Sequence, residues 1–173
     1  MNSRPDDSII VVTHQGRDLV LKVLRAARAS NGPIDVDWTV VDSGSSDGTS
    51  EAIERQFPDV TVVRLPNVGF AAANNVAIRS ARGRYLLLLN PDPEIVFGTL
   101  AQIVAAMDER PQVGISSATT HYPDGRLQPS IRRFPSPARQ LGEAFLLHRL
   151  PARARATEQE ERPEVYETER SAD

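Results

Sequence analysis

Apolar residues in this chain come in short runs divided by amphipathic stretches, and the alternation repeats. Residues 8–13 (SIIVVT) form a continuous apolar run of strand length. Residues 17–30 follow, with Leu19, Val20, Val23, Leu24 and Ala27 on one helical face. A second strand is expected at 37–42 (DWTVVD) and a helix at 47–57, with Asp47 as its N-cap and Pro58 marking its end. Residues 60–65 read as a third strand. Residues 70–81 read as an Ala-rich helix with Ala73, Ala77, Ile78 and Ala81 on one face. The run 84–89 (RYLLLL) is a fourth strand, and its consecutive leucines predict burial on both faces. Residues 98–109 have helical spacing at Leu100, Ile103, Val104 and Met107. A fifth strand is expected at 112–117.

This order predicts an α/β fold: a mostly parallel sheet with helices on both faces. The pattern breaks after the fifth strand. Tyr122, Pro123, Asp124 and Gly125 are a turn signal, so a small hairpin is expected there. Residues 137–150 read as one more helix. From Ala152 onward there are four Arg, seven acidic groups and almost no apolar residues, which predicts disorder. The expected organisation is one domain over 8–150 and a charged tail over 151–173.

Composition narrows the chemistry. Hydrophobic residues are 40% and charged residues 25% of 173 positions, as in a globular protein. A net charge of -3 argues against nucleic-acid binding by bulk charge. With no Cys, thiolate nucleophiles and disulfides are excluded. His14, His121 and His148 lie far apart, without metal-ligand spacing. No apolar run has membrane-spanning length, and residues 1–7 are too polar for a signal peptide, so a cytoplasmic protein is expected.

Ligands of open α/β sheets bind beyond the carboxyl ends of the strands. The segments after the first four strands are therefore the candidate site: Thr13, His14 and Gln15; the run DSGSSDGT at 42–49; Pro66, Asn67, Val68 and Gly69; and NPDPE at 90–94. Asp42 either caps its turn or accepts from a nucleobase N–H or ribose hydroxyls. Gly69 allows a close backbone approach, and the helix after it offers free N–H groups to a diphosphate. Asn74 and Asn75 either face that ligand or are solvated. Two prolines hold NPDPE extended, so Asp92 is either a ligand for Mg²⁺ or Mn²⁺ or a solvated acid. No dinucleotide, P-loop or nucleophile-elbow motif is present.

The segments IIVVTHQ, VVDSGSSDGT, NVGFAAANN and LLLLNPDPE, in this order and spacing, resemble the N-terminal half of family 2 inverting glycosyltransferases of the GT-A fold. With NPD in place of D-x-D, the chain is similar to bacterial rhamnosyl- and galactofuranosyltransferase-like enzymes. Tyr122 to Gly125, Leu127 to Ser130 and Arg132 to Pro135 resemble that subgroup too. The resemblance covers about residues 8–150. It implies that Thr13, Asp42, Asp47, Asn67, Gly69, Asn74 and Asn90 bind a nucleotide-diphosphate sugar of UDP or dTDP type. It implies that Asp92 is the metal ligand, for Mg²⁺ or Mn²⁺, and that the acceptor is a glycan or lipid-linked sugar. Arg132 and Arg133 are either phosphate contacts or a solvated basic loop.

Two departures from the family pattern stand out. His14 and Gln15 occupy positions where the family usually has Tyr and Asn. Nothing after Leu150 resembles the family's acceptor half or its catalytic base, which an inverting transfer needs to deprotonate the acceptor hydroxyl. The expectation is a metal-dependent, incomplete or weakly active glycosyltransferase, in the cytoplasm or at the inner face of the membrane. The alternative is a non-catalytic nucleotide-sugar-binding module that needs a partner chain.

Overall fold

The computed structural model describes residues 4–130 together with Ser136, Pro137 and Gln140. Two compact units divide after Pro111. The first alternates strands and helices: β1 (Asp7–Thr13), α1 (Arg17–Ala29), β2 (Val36–Ser43), α2 (Thr49–Gln56), β3 (Thr61–Leu65), α3 (Phe70–Ile78), β4 (Tyr85–Leu89) and α4 (Thr99–Glu109). The four strands form a wholly parallel sheet in the order β3-β2-β1-β4. The chain runs outward from β1 through β2 to β3, then returns to the other side of β1. The direction of winding therefore changes between β1 and β4.

Side-chain alternation along β1 sorts the two cores. Ile9 and Val11 point to one face, where they join Trp38 and Val40 of β2, Val20, Val23 and Leu24 of α1, Ala52 and Ile53 of α2, and Leu100 of α4. Ile10 and Val12 point to the other, where Val41 and the small residues Ala73 and Ala77 of α3 cover them. Full burial of a side chain such as Ile9, Leu24 or Ile53 contributes about 1.5–3 kcal/mol. The short side chains of α3 let that helix lie close against β1 and β2.

Three expectations need correction. Residues 112–117 form no strand, and Ile115 is 91% exposed. The leucines of β4 are not buried on both faces. Leu87 and Leu89 pack into the α1 side, but Leu86 and Leu88 are each 47% exposed on the α3 side. Their strand is at the sheet edge among the described residues, and α3 is seated over β1 and β2 instead. Finally, the N-cap of α2 is Gly48, at φ 77°, rather than Asp47. In the second unit, His121 and Leu127 form an antiparallel bridge around the turn at 122–125, as the sequence predicts. Arg132, Arg133, most of the helix expected at 137–150 and the tail from Ala152 lie outside the described residues.

Candidate functional site

All four strands are parallel, so their carboxyl ends, and the loops after Thr13, Ser43, Leu65 and Leu89, share one edge of the sheet. Thr13 and Asp42 are register partners across β1 and β2, and Asp42 is the partner of Arg64 across β2 and β3. Asn90 directly follows β4 and Asp92 lies two residues beyond it, both exposed. β4 and β2 are two strand spacings apart, roughly 10 Å.

Asp42 is the centre of the edge. It is 4% exposed, yet its carboxylate is well supplied with donors. The Ser45 backbone N–H donates to Oδ1 at 2.9 Å, and the Ser50 hydroxyl, from the first turn of α2, donates to Oδ2. Burial pushes this carboxyl up, but the hydrogen bonds from Ser45 and Ser50 together outweigh it and leave the group below the ordinary Asp range. Asp42 is therefore ionised at neutral pH. An open pocket of about 180 Å³ adjoins it, lined by Asp42, Gly44 and Ser45, by Ser50 and Glu51 of α2, and by Arg64 and Leu65 of β3. The Arg64 guanidinium is held by Glu54 through two hydrogen bonds of 2.6 and 2.9 Å and reaches Glu51 at 3.5 Å.

The loops around this pocket are stitched together. Asp47 Oδ1 accepts from the backbone N–H and hydroxyl of Thr49 at 3.1 and 2.5 Å, and its Oδ2 accepts from the Arg17 N–H at 3.2 Å. It thus ties the start of α2 to the start of α1. His14 bonds the Ser43 carbonyl through Nδ1 at 2.8 Å, and Gln15 engages Ser45 and Ser46. Thr13 is buried, and its hydroxyl has no hydrogen-bond partner among the described residues.

Asn67 is exposed and its Oδ1 accepts from the Gly69 N–H at 3.4 Å, while Gly69 is the N-cap of α3. Asn74 is buried one turn into α3 and donates from Nδ2 to the Phe70 carbonyl at 2.9 Å. Asn75 is exposed. Among the described residues, Asp92 makes no hydrogen bond or ion pair, whereas Glu94 of the same loop pairs with Lys22 at 2.5 Å. No group of three or more His, Asp or Glu that could enclose a metal occurs among the described residues. One free carboxylate with an amide oxygen nearby in sequence suits a Mg²⁺ or Mn²⁺ ion that completes its shell with water and phosphate, rather than an all-protein cage. No helix among the described residues is long and apolar enough to cross a membrane.

Reading the sequence alone places His14 and Gln15 in the loop after β1 but overlooks Ser50 and Arg64. Ser50 carries a weak signal: it is a polar residue next to the buried face of Ala52 and Ile53. Arg64 carries none, because an arginine at the end of an edge strand looks like ordinary solvated charge.

The family model of Glycosyl transferase family 2 matches residues 8–162. The chain belongs to that family. Among curated relatives, the succinoglycan biosynthesis protein ExoO of Rhizobium meliloti is 29% identical over 134 residues, which are 75% of this chain and 37% of ExoO. The N-acetylglucosaminyl-diphospho-decaprenol L-rhamnosyltransferase of Mycobacterium tuberculosis is 26% identical over 141 residues, 74% of this chain and 45% of that protein. The chain thus spans less than half the length of these two relatives. Among solved structures, S. aureus TarS 1-349 aligns with a TM-score of 0.54 and 25% identity, covering 60% of this chain and 32% of TarS 1-349. A second TarS structure aligns with a TM-score of 0.60 at 24% identity over 75% of this chain and 24% of TarS. The parallel sheet with helices on both faces is the GT-A glycosyltransferase architecture expected from the sequence.

Proposed function

We propose that this family 2 chain binds the donor in transfer of a sugar from a UDP- or dTDP-type nucleotide to a glycan or lipid-linked acceptor. The observation that carries the reading is Asp42, an ionised carboxylate buried at the sheet edge with a pocket beside it. Its two oxygens have spare lone pairs after accepting from Ser45 and Ser50, and the imide N–H of uracil or thymine is a matching donor. Thr13 would line the nucleoside side of the same edge. Asn67, Gly69 and the first N–H groups of α3 would face the ribose and diphosphate, where a helix N-terminus favours negative charge. Asn74 would support that helix start through Phe70, and Asp47 would fix the loop that carries Ser45.

Asp92, with Asn90, would hold Mg²⁺ or Mn²⁺. A divalent ion there would neutralise charge on the departing diphosphate. No catalytic base is assigned. The acceptor class draws support from the names of the relatives, one a rhamnosyltransferase for a diphospho-decaprenol-linked sugar and one a succinoglycan biosynthesis protein. This reading puts the protein in the cytoplasm, at the inner face of the membrane when the acceptor is lipid-linked.

Calorimetric titration with UDP and dTDP, with and without Mg²⁺ or Mn²⁺, tests the reading. Wild type should bind, and more tightly with metal. Asp92→Ala should lose the metal-dependent part, at least ~1.4 kcal/mol or about tenfold. Asp42→Ala should weaken binding even without metal. Equal affinities in all three proteins would overturn the assignment.

A further inference from the structure

Among the described residues, Gln15 is the one non-glycine residue in the left-handed region, at φ 51°. Side chains rarely adopt this conformation, and where one does, its contacts hold it there. Gln15 has such contacts. Its backbone N–H donates to Ser45 Oγ at 2.9 Å. Its carboxamide grips Ser46 from both ends: Nε2 donates to Ser46 Oγ at 3.0 Å, and the Ser46 N–H donates to Oε1 at 3.2 Å. Next to it, His14 Nδ1 lies 2.8 Å from the Ser43 carbonyl. A carbonyl only accepts, so Nδ1 carries the hydrogen. The loop after β1 thereby holds Ser43, Ser45 and Ser46, and the Ser45 N–H in turn donates to Asp42 Oδ1.

A glycine at position 15 would adopt the same backbone without strain. What it would lack is the carboxamide. We infer that Gln15 is a positioning residue for Asp42: its carboxamide clasps Ser46 and so holds the turn that aims the Asp42 carboxylate at the pocket. The claim rests on the reading of Asp42 as the nucleobase contact. Arg17, Asp47, Glu51 and Arg64 are the other charged groups around this turn and pocket, and Gln15 forms no bond to any of them among the described residues.

The test uses the full chain. Gln15→Gly removes the carboxamide and the strain together, so melting temperature should stay level or rise. UDP affinity measured with Mg²⁺ should nevertheless fall about tenfold, as expected when a polar contact to a charged group is loosened. The Asp42 carboxyl resonance, followed by NMR in the ligand-free protein, should titrate at higher pH than in wild type. Adding Ser46→Ala to Gln15→Gly should cost nothing further, because both act through one contact. Wild-type affinity together with an unmoved Asp42 titration in Gln15→Gly would overturn the inference and leave the nucleotide reading intact. If wild type itself fails to bind UDP or dTDP, the nucleotide reading falls and this inference, which rests on it, falls with it.

Discussion

Gly44 and Asn67 touch through their backbones: a β-carbon added to Gly44 would stand 2.9 Å from the Asn67 nitrogen. Gly44 also has φ at 81°, a region that costs an L-residue about 1–2 kcal/mol. The loop carrying Ser45 and the loop carrying Asn67 are therefore seated against each other at this one glycine. Gly44→Ala should lower stability by at least that amount and push the Asn67 turn away. Melting temperature and UDP affinity should both drop, and chemical-shift changes should reach Asn67 and Gly69. A variant with wild-type melting temperature would show that the contact is slack.

Ser50 is one of the two residues, with Ser45, whose hydrogen bonds offset the burial of Asp42. In Ser50→Ala, Oδ2 loses its hydroxyl partner while the carboxyl stays buried, at a cost of about 1.5–3 kcal/mol for a bond to a charged group. The sign with pH follows from the direction of the shift. Asp42 titrates below the ordinary Asp range when folded, so its stabilising contribution is present above that range and is lost as pH falls through the folded value. Without Ser50 the loss should begin at higher pH. Unfolding curves of wild type and variant at a series of acidic pH values check this, and parallel profiles would contradict it.

The parallel sheet was legible in the sequence because β1 carries the β-branched run Ile9 to Thr13, β2 the shorter run Thr39 to Val41, and α1 has an apolar stripe. The placement of Thr13 and Asp42 at strand ends, and of Asn67 and Asp92 in the loops beyond them, followed from the alternation of strands and helices alone. Other features depended on tertiary neighbours. LLLL at 86–89 reads the same whether one face or two are covered, and only the seating of α3 over β1 and β2 decides. Gln112 to Ser117 has alternation suited to a strand, but alternation over six residues does not by itself supply a ladder partner, and these residues form no strand. Gly48 takes the cap position of α2, and the Asp47 side chain bridges two helix starts, holding Thr49 through Oδ1 and the N–H of Arg17, thirty positions away, through Oδ2.

Leu86 and Leu88 suggest a colloidal consequence. Both are half exposed on β4, which among the described residues pairs with β1 alone, leaving a row of backbone donors and acceptors on its outer side. Apolar edge strands of this kind pair with other chains. The isolated chain should self-associate with rising concentration in sedimentation velocity, and Leu88→Lys should suppress it with little loss of helix or sheet signal. A chain that remains monomeric at every concentration would refute the prediction.

Asp7 lies at the opposite end of β1 from the candidate site, 3% exposed, with Oδ1 buried and without a hydrogen-bond partner among the described residues. Burial pushes its carboxyl up to about 6; backbone hydrogen bonds from Ser8 and Leu87 pull the other way, and Asp6 adds repulsion. A carboxyl raised in the folded state binds its proton more tightly there than in the unfolded chain. The fold is thus favoured below the ordinary Asp range and loses stability as pH rises from that range through about 6. A shift of this size corresponds to about 3 kcal/mol at neutral pH. Asp7→Asn keeps the shape and removes the charge. It should raise stability towards that amount at pH 7.5, and change it little at pH near 4, where Asp7 is already protonated in the fold. Urea unfolding at the two pH values measures the difference. An equal effect at both would mean that hydrogen bonding, not ionisation, sets the cost of burying Asp7.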